Sequence, residues 1–245
     1  MFIRLKAMLI KNATAERFFR YIHSKLPIFL RLHLSRKFMN SYQSLENENK
    51  VIFVHVPKAA GNGITYSLFD RPSSGHYFLS KYLDDSKAKF DDYFKFTVVR
   101  NPWDRFVSAF HYLNNDDGGI GVWDVEFRDL YLSDCKDFKS FVDKMIKDDN
   151  FKYKVIKWTH FIPQHTFLTL DGVMSLDNFD FICKFESINR DFDVLKSILG
   201  KENSSLAVVN KSSHSHYRDY FTEQYMVDFV RDLYKDDIEL LEYDF

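Results

Sequence analysis

Lys58, Gly61 and Gly63, in the run VIFVHVPKAAGNGITYSLF over residues 51–69, are of the types and spacing that cradle an anion. The lysine supplies a point charge, and the glycines let the backbone come close enough for several N–H groups to face one oxyanion. A helix beginning near Asn62 adds its positive end. The run is not a Walker loop, because GxxxxGK[ST] is absent, the lysine precedes the glycines and no hydroxyl follows it to hold magnesium. For this fragment alone, a tight strand-to-helix turn with a lysine in solvent is the plainer alternative. A second candidate is FTVVRNPWDRFVSAFHYL, where Arg100 closes a strand pattern and Ser108 falls on the helix pattern that follows. An arginine fork with a nearby hydroxyl suits a phosphate dianion. Asp104 and Arg105 read as surface or capping charges beside it, although either could buttress the site.

The elements that must position these groups follow from apolar period and turn chemistry. Residues 51–56 form a continuous apolar run of strand length, suited to a central strand covered on both faces. Residues 62–69 form a helix pattern, interrupted by DRPSSGH. A second strand, FKFTVVR, ends at Arg100, and Asn101-Pro102 opens a helix over residues 103–113, with proline where its missing N–H costs little. The loop NNDDGG ends that helix. A third strand, FDFICKF, precedes a helix over residues 187–199 stopped by Gly200. NKSSHSHYRDY reads as an exposed loop, and Thr222 as the cap of a long last helix. Strands alternating with helices predict an α/β domain with a mainly parallel sheet flanked by helices. Ligands gather at the carboxyl ends of such strands, so the Lys58 and Arg100 sites are expected to be neighbours in space.

Composition narrows the classes. Against 35 acidic residues stand 34 basic ones, a net charge of -1, so no global field favours nucleic acid and any anion site is local. Two cysteines, Cys135 and Cys183, give neither a disulfide framework nor a metal-ligand spacing, and free thiols are expected. No run approaches the roughly 20 apolar residues of a spanning helix, which predicts a soluble chain. Residues 1–39 differ from the rest. They carry Arg4, Lys6, Lys11, Arg17, Arg20, Lys25, Arg31, Arg36 and Lys37 against Glu16 alone. Such a stretch is either a peripheral contact for an anionic membrane or polyanionic acceptor, or a helical arm packed on the domain. The polar segment SYQSLENENK sets the expected division into a basic amphipathic arm over residues 1–49 and a catalytic domain over residues 50–245.

Taken together, these segments resemble a known family. IFVHVPKAAGN is similar to the 5'-phosphosulfate loop, and FTVVRNPWDRFVSAF to the 3'-phosphate motif, of the carbohydrate sulfotransferases that use 3'-phosphoadenosine 5'-phosphosulfate (PAPS). The likeness continues through WTHFIPQHTFL, FDFICKFESINRDF, NKSSHSHYRDYF and YKDDIELLEYDF, nearly all of the chain from Val51 onward. The branch it resembles most includes heparan 2-O-sulfotransferase and bacterial relatives. The resemblance implies a P-loop-like three-layer fold, and sulfuryl transfer from PAPS to a hydroxyl of a carbohydrate or polysaccharide. It puts Lys58, Ala60, Gly61, Asn62, Gly63 and Ile64 on the phosphosulfate loop and Arg100 with Ser108 on the 3'-phosphate. Lys211 and Ser212, with Tyr217 and Arg218 behind them, fall on a late loop that closes over the nucleotide. His76 stands where the family places its catalytic histidine, and its neutral pKa range suits a general base. His55 reads instead as a hydrogen-bonded core residue. His160 and His165 flank FIPQ on the acceptor side. Glu186 matches a recurrent acidic position that orients a base or the acceptor, or is an ordinary strand-end carboxylate.

One departure stands out: the family usually has Ser or Thr where this chain has Gly63, with Thr65 the nearest hydroxyl that could replace it. A sulfuryl group bears less charge than a phosphoryl group, so positioned donors can assist in-line transfer without a metal clamp, with Lys58 stabilising charge on the bridging oxygen. His214-x-His216 lacks a third ligand, and no metal is expected. Two other classes compete: a P-loop-like nucleotide kinase, which needs magnesium, and a non-catalytic module that binds polyanions or membrane surfaces through the basic arm. Animal members of the family carry a Golgi anchor that is not visible here. The resemblance therefore implies a cytoplasmic or membrane-peripheral bacterial enzyme, or a Golgi lumenal one if an anchor lies outside this chain.

Overall fold

The computed structural model describes residues 26–72, 74–115, 120–207 and 215–245. Residues 1–25 of the basic arm and Lys211, Ser212 and His214 of the late loop lie outside the described residues. The chain divides into two compact units, Met1–Asn40 and Ser41–Phe245. In the first, helix α1 spans Ile28–Phe38, starts after Pro27, and carries Arg36 and Lys37 in its last turn, where cations oppose the negative helix end. No helix among the described residues is long and apolar enough to cross a membrane.

The second unit opens with α2 (Ser44–Asn49), fixed by a capping box between Gln43 and Glu46. Lys50, at φ 51°, then turns the chain into β1 (Val51–Val54). Next come α3 (Gly61–Phe69), α4 (Leu79–Asp85) and α5 (Lys87–Asp92). They lead to β2 (Phe94–Val99) and α6 (Pro102–Leu113), whose start is capped by the Asn101 side chain accepting from Trp103 and Asp104 N–H. Then follow α7 (Val122–Phe127), running into a π-helical turn at Arg128–Leu132, α8 (Phe138–Lys147), α9 (Asp149–Lys157) and α10 (Gln164–Leu168). Strand β3 (Phe181–Lys184), α11 (Ile188–Ile198), α12 (Gln224–Leu233) and α13 (Lys235–Leu241) complete the unit.

The three strands pair in parallel in the order β1-β2-β3, with Val51 opposite Phe94 and Phe96 opposite Phe181, and helices flank the sheet. The α/β expectation is met. Among the described strands, however, the central one is β2, whereas the sequence put the apolar run at 51–56 there. Burial explains the misreading: every residue of β1 is buried although the strand lies on an edge, because the edge is covered. Tyr82 closes part of it by donating its hydroxyl to Phe53 O at 3.3 Å, and the Phe53 and Phe96 rings stack at 4.7 Å.

A second apolar cluster forms on α6, where Phe106 packs against Phe138, Phe141, Phe161 and Tyr234. Helices α7 to α10, which the sequence pattern did not mark, are held by packing more than by their own length, since helices this short are marginal alone: Phe127 of α7 stacks on Trp158, Phe138 and Phe141 of α8 meet Phe106, Phe151 of α9 meets Phe141, and Phe167 of α10 meets Phe78. Two expectations are corrected here. Arg105 is not a surface charge: it is buried, donates to His160 O (3.1 Å) and Ile162 O (2.8 Å), and lies 5.3 Å from the Tyr234 ring centroid. The last long helix is in fact α12 and α13, broken at Tyr234, and it starts after Glu223 with no cap from Thr222.

Candidate active site

Because β1 and β2 are parallel neighbours, the segments leaving their carboxyl ends meet. After β1 the chain passes through Lys58 (φ 67°) and Ala60 (φ 65°), two left-handed positions without glycine, each costing about 1–3 kcal/mol. They wind the loop tightly enough for α3 to begin at Gly61 without a side-chain cap. The first N–H paired inside the helix is that of Ile64, to Ala60 O at 3.3 Å, so the donors of Gly61, Asn62 and Gly63 remain for a ligand. Both glycines are dictated by close approach. A Cβ at Gly61 would stand 2.0 Å from His55 Nε2, and one at Gly63 2.8 Å from the backbone O of Ala207. The latter segment is tied down by Ala207 N–H donating to Ser67 Oγ at 2.8 Å. Thr65 does not replace a hydroxyl at 63, since it is fully buried and its Oγ1 donates to Asn62 O at 3.2 Å. Asn62 Oδ1 is buried with no hydrogen-bond partner.

Arg100 is the joint between the two segments. Its Nη1 donates to Lys58 O at 2.9 Å, while Nε and Nη2 form a two-pronged pair with Asp104, both at 2.8 Å. Its guanidinium lies 4.0 Å from the Phe185 ring centroid. Asp104 is therefore a clamp on Arg100 and not a surface charge. Ser108, buried, follows Asp104 by four residues and shares its face of α6 one turn further on. The backbone of Arg100 is gripped by Gln164, whose Oε1 accepts from Arg100 N–H at 3.0 Å and whose Nε2 donates to Arg100 O at 2.7 Å. Gln164 is placed in turn by the fully buried Asp237, which accepts the N–H groups of Gln164 and His165, both at 2.7 Å. Glu186 accepts from Asn101 N–H (2.7 Å) and from the Tyr243 hydroxyl (2.8 Å), so its contacts fix the turn after β2.

Three imidazoles sit beside the lysine loop. His55 is buried, stacked on Phe53 and 3.0 Å from Ser74 Oγ, the core residue expected; burial, with His76 and Lys58 nearby, holds it well below the usual histidine range. The His76 ring centroid lies 4.3 Å from that of His55 and 6.2 Å from that of His160. His76 Nδ1 is 2.9 Å from His55 O. A carbonyl only accepts, so Nδ1 carries the proton and Nε2 is the basic nitrogen. His160 Nε2 lies 3.1 Å from Asp124 Oδ1, which fixes its proton on that side, and its Nδ1 is buried without a partner. Lys58 Nζ rests 4.0 Å from the centroid of the Tyr112 ring. Burial and then the charge of Arg100 push the Lys58 ammonium down to about 7, against a smaller upward pull from Asp124.

The fold thus gathers Lys58, Ala60, Gly61, Asn62, Gly63, Ile64, Arg100, His76 and His160 into one region. His165 is committed to Asp237, with Nδ1 2.8 Å from Oδ1. Tyr112, Asp124, Gln164 and Asp237 were not foreseen as part of it, whereas Asp104 was expected as a surface or cap charge that could buttress it. Only Gln164 left a local sign, in the quoted FIPQ; Asp124 acts on partners 12 to 36 positions away and Asp237 on partners 72 or 73 away, and neither leaves one.

Residues 44–244 match the model of the sulfotransferase family. No curated protein and no solved structure matches the chain.

Proposed function

The chain belongs to the sulfotransferase family, and from that premise we propose that it moves a sulfuryl group from PAPS to a hydroxyl of a carbohydrate or polysaccharide. One observation carries this reading: the Lys58 loop, Arg100 and His76, whose Nδ1 donates to His55 O, converge at the carboxyl ends of two adjacent parallel strands.

The residues present fit the donor. Three unpaired N–H groups open α3, and Lys58 forms no ion pair with a described carboxylate. Lys58 and the α3 donors would hold the phosphosulfate, and Arg100 with Ser108 the 3'-phosphate, with Lys211 and Ser212 assigned to the nucleotide from sequence alone. Bound there, PAPS supplies the sulfuryl group and departs as adenosine 3',5'-bisphosphate. His76 takes the acceptor proton at Nε2, held in the required tautomer by its Nδ1–H on His55 O. Lys58, positively charged, faces charge that develops on the departing side, where desolvation raises its effect. His160 stands near His76 on the acceptor side; Glu186 and His165 support that wall through Asn101 and Asp237. The basic residues of the stretch 1–39 would suit a polyanionic acceptor or an anionic membrane, in keeping with a cytoplasmic, membrane-peripheral enzyme.

Transfer of labelled sulfate from PAPS to a panel of glycans tests the reading, with Lys58→Ala, His76→Gln and Arg100→Ala beside the parent. Loss of transfer in the first two, and weakened adenosine 3',5'-bisphosphate binding in the third, is expected. Undiminished transfer by all three would overturn it. Phosphoryl transfer from a nucleoside triphosphate that stops on adding EDTA would point to a kinase instead.

A further inference from the structure

We propose that Asp124 is a positioning residue for Lys58: its carboxylate holds the Tyr112 ring as the seat of the Lys58 ammonium and ties that seat to His160 across the site. The inference rests on the sulfotransferase reading for the purpose of the lysine, but its geometry is independent of it. Every prong of the carboxylate is engaged. Oδ2 accepts from the Tyr112 hydroxyl at 3.1 Å, while Oδ1 accepts from Trp158 Nε1 at 2.9 Å and faces His160 Nε2 at 3.1 Å. Gly121 N–H donates to the same Tyr112 oxygen at 3.3 Å, which leaves the ring little freedom to swing. The Tyr112 ring also meets the His160 ring at a centroid separation of 4.7 Å, so lysine, phenol, carboxylate and imidazole form one continuous contact.

The chemistry of this arrangement suits a buried cation that must receive an anion. A carboxylate paired directly with Lys58 would neutralise it and compete with the ligand. A carboxylate one ring away does neither. By accepting the phenol proton it makes the Tyr112 ring more electron-rich, which strengthens the attraction of the ring face for the ammonium. The charged and titratable groups around Lys58 are Arg100 from the end of β2, with Asp104 neutralising it from α6, and His55, His76 and His160. Of these, Arg100 opposes protonation of Lys58, and Asp124, one ring away, favours it. Asp124 is thereby the counterweight that lets two cations occupy the ends of neighbouring strands.

The experiment follows the Lys58 side-chain signal through a pH titration by NMR in the uncomplexed protein, identified by its loss in Lys58→Arg. In Asp124→Asn, which keeps the size and two hydrogen bonds, the midpoint of Lys58 is expected to fall by about one pH unit, a tenfold change in the proton equilibrium. Tyr112→Phe, a milder change that keeps the ring and breaks its tie to the carboxylate, should lower it in the same direction by less. Sulfate transfer in Asp124→Asn should then lose its alkaline activity at lower pH than the parent. An unmoved Lys58 midpoint in both folded variants would overturn the proposal. If the protein transfers no sulfate at all, the parent reading fails, yet the NMR midpoints still decide the role of Asp124.

Discussion

On the resemblance, Gly63 stands where the family usually has Ser or Thr, and replacing it by serine ought to restore a ligand hydroxyl. The geometry says otherwise. A Cβ there would lie 2.8 Å from Ala207 O, a backbone atom that cannot rotate away. Overpacking of this kind costs about 1–3 kcal/mol. Moving the segment also strains the Ala207 N–H to Ser67 Oγ bond, whose net contribution is about 0.5–1.5 kcal/mol. In the opposite direction, replacing glycine in a helix gains at most about 1 kcal/mol. Gly63→Ala and Gly63→Ser should therefore lose about 1–3 kcal/mol, read as a fall in Tm of roughly 2–10 °C for a chain of this size. Thermal unfolding with calorimetric binding of adenosine 3',5'-bisphosphate checks both consequences, and Gly63→Ser is expected to bind more weakly despite its hydroxyl. Ser67→Ala supplies the internal control. If the clash already displaces Ala207, Ser67→Ala costs little in the Gly63→Ala background and about 1 kcal/mol in the parent. A Gly63→Ser protein as stable as the parent that binds nucleotide more tightly would refute the reasoning.

Gln164→Leu strands the backbone N–H and O of Arg100 in a buried place and should cost about 2–4 kcal/mol by chemical denaturation, with weaker nucleotide binding. Asp104→Ala leaves the Arg100 guanidinium, 8% exposed, without its two-pronged partner, and a Tm several degrees lower is expected. Burial lowers the His165 pKa, but the hydrogen bond and charge of Asp237 outweigh it, so the folded value is raised. Its stabilisation is full below about pH 6.5 and disappears as pH rises through the folded value. Denaturation at pH 5.5 and 8.5 should show that increment in the parent and lose it in His165→Gln. Anion binding should also draw a proton to Lys58 above its midpoint of about 7, visible as a binding enthalpy at pH 8 that varies with the ionisation enthalpy of the buffer.

How far the sequence reaches is clear from particular residues. The meeting of the Lys58 and Arg100 segments was legible because strand, turn and helix signals are local, and parallel pairing then brings the two residues together without further information. His55 was read as a core residue correctly, since an apolar run on both sides leaves it no solvent. What failed was anything set by a distant partner. Arg105 and Asp104 look first like helix-surface or cap charges in RNPWDRF, with a buttressing role the lesser reading; the packing of residues 160–162 buries Arg105, and the return of Arg100 makes Asp104 the buttress. Central and edge strands were confused because β1 is as apolar as a central strand when its edge is roofed over. Asp124 gave no sign, as its partners Tyr112, Trp158 and His160 come from separate helices and connecting segments.

The parallel pairing of β1 with β2 has an energetic side. It forces a lysine loop and an arginine, 42 positions apart, into one small volume, so the empty sheet carries repulsion between like charges that the unfolded chain never feels. An anion relieves it and binds only where the pairing exists. At 100 times its dissociation constant, such a ligand adds about 2.7 kcal/mol to folding. On the proposed reading, donor nucleotide would be a keystone for the sheet as well as a reactant, and a cell short of it would hold a less durable protein.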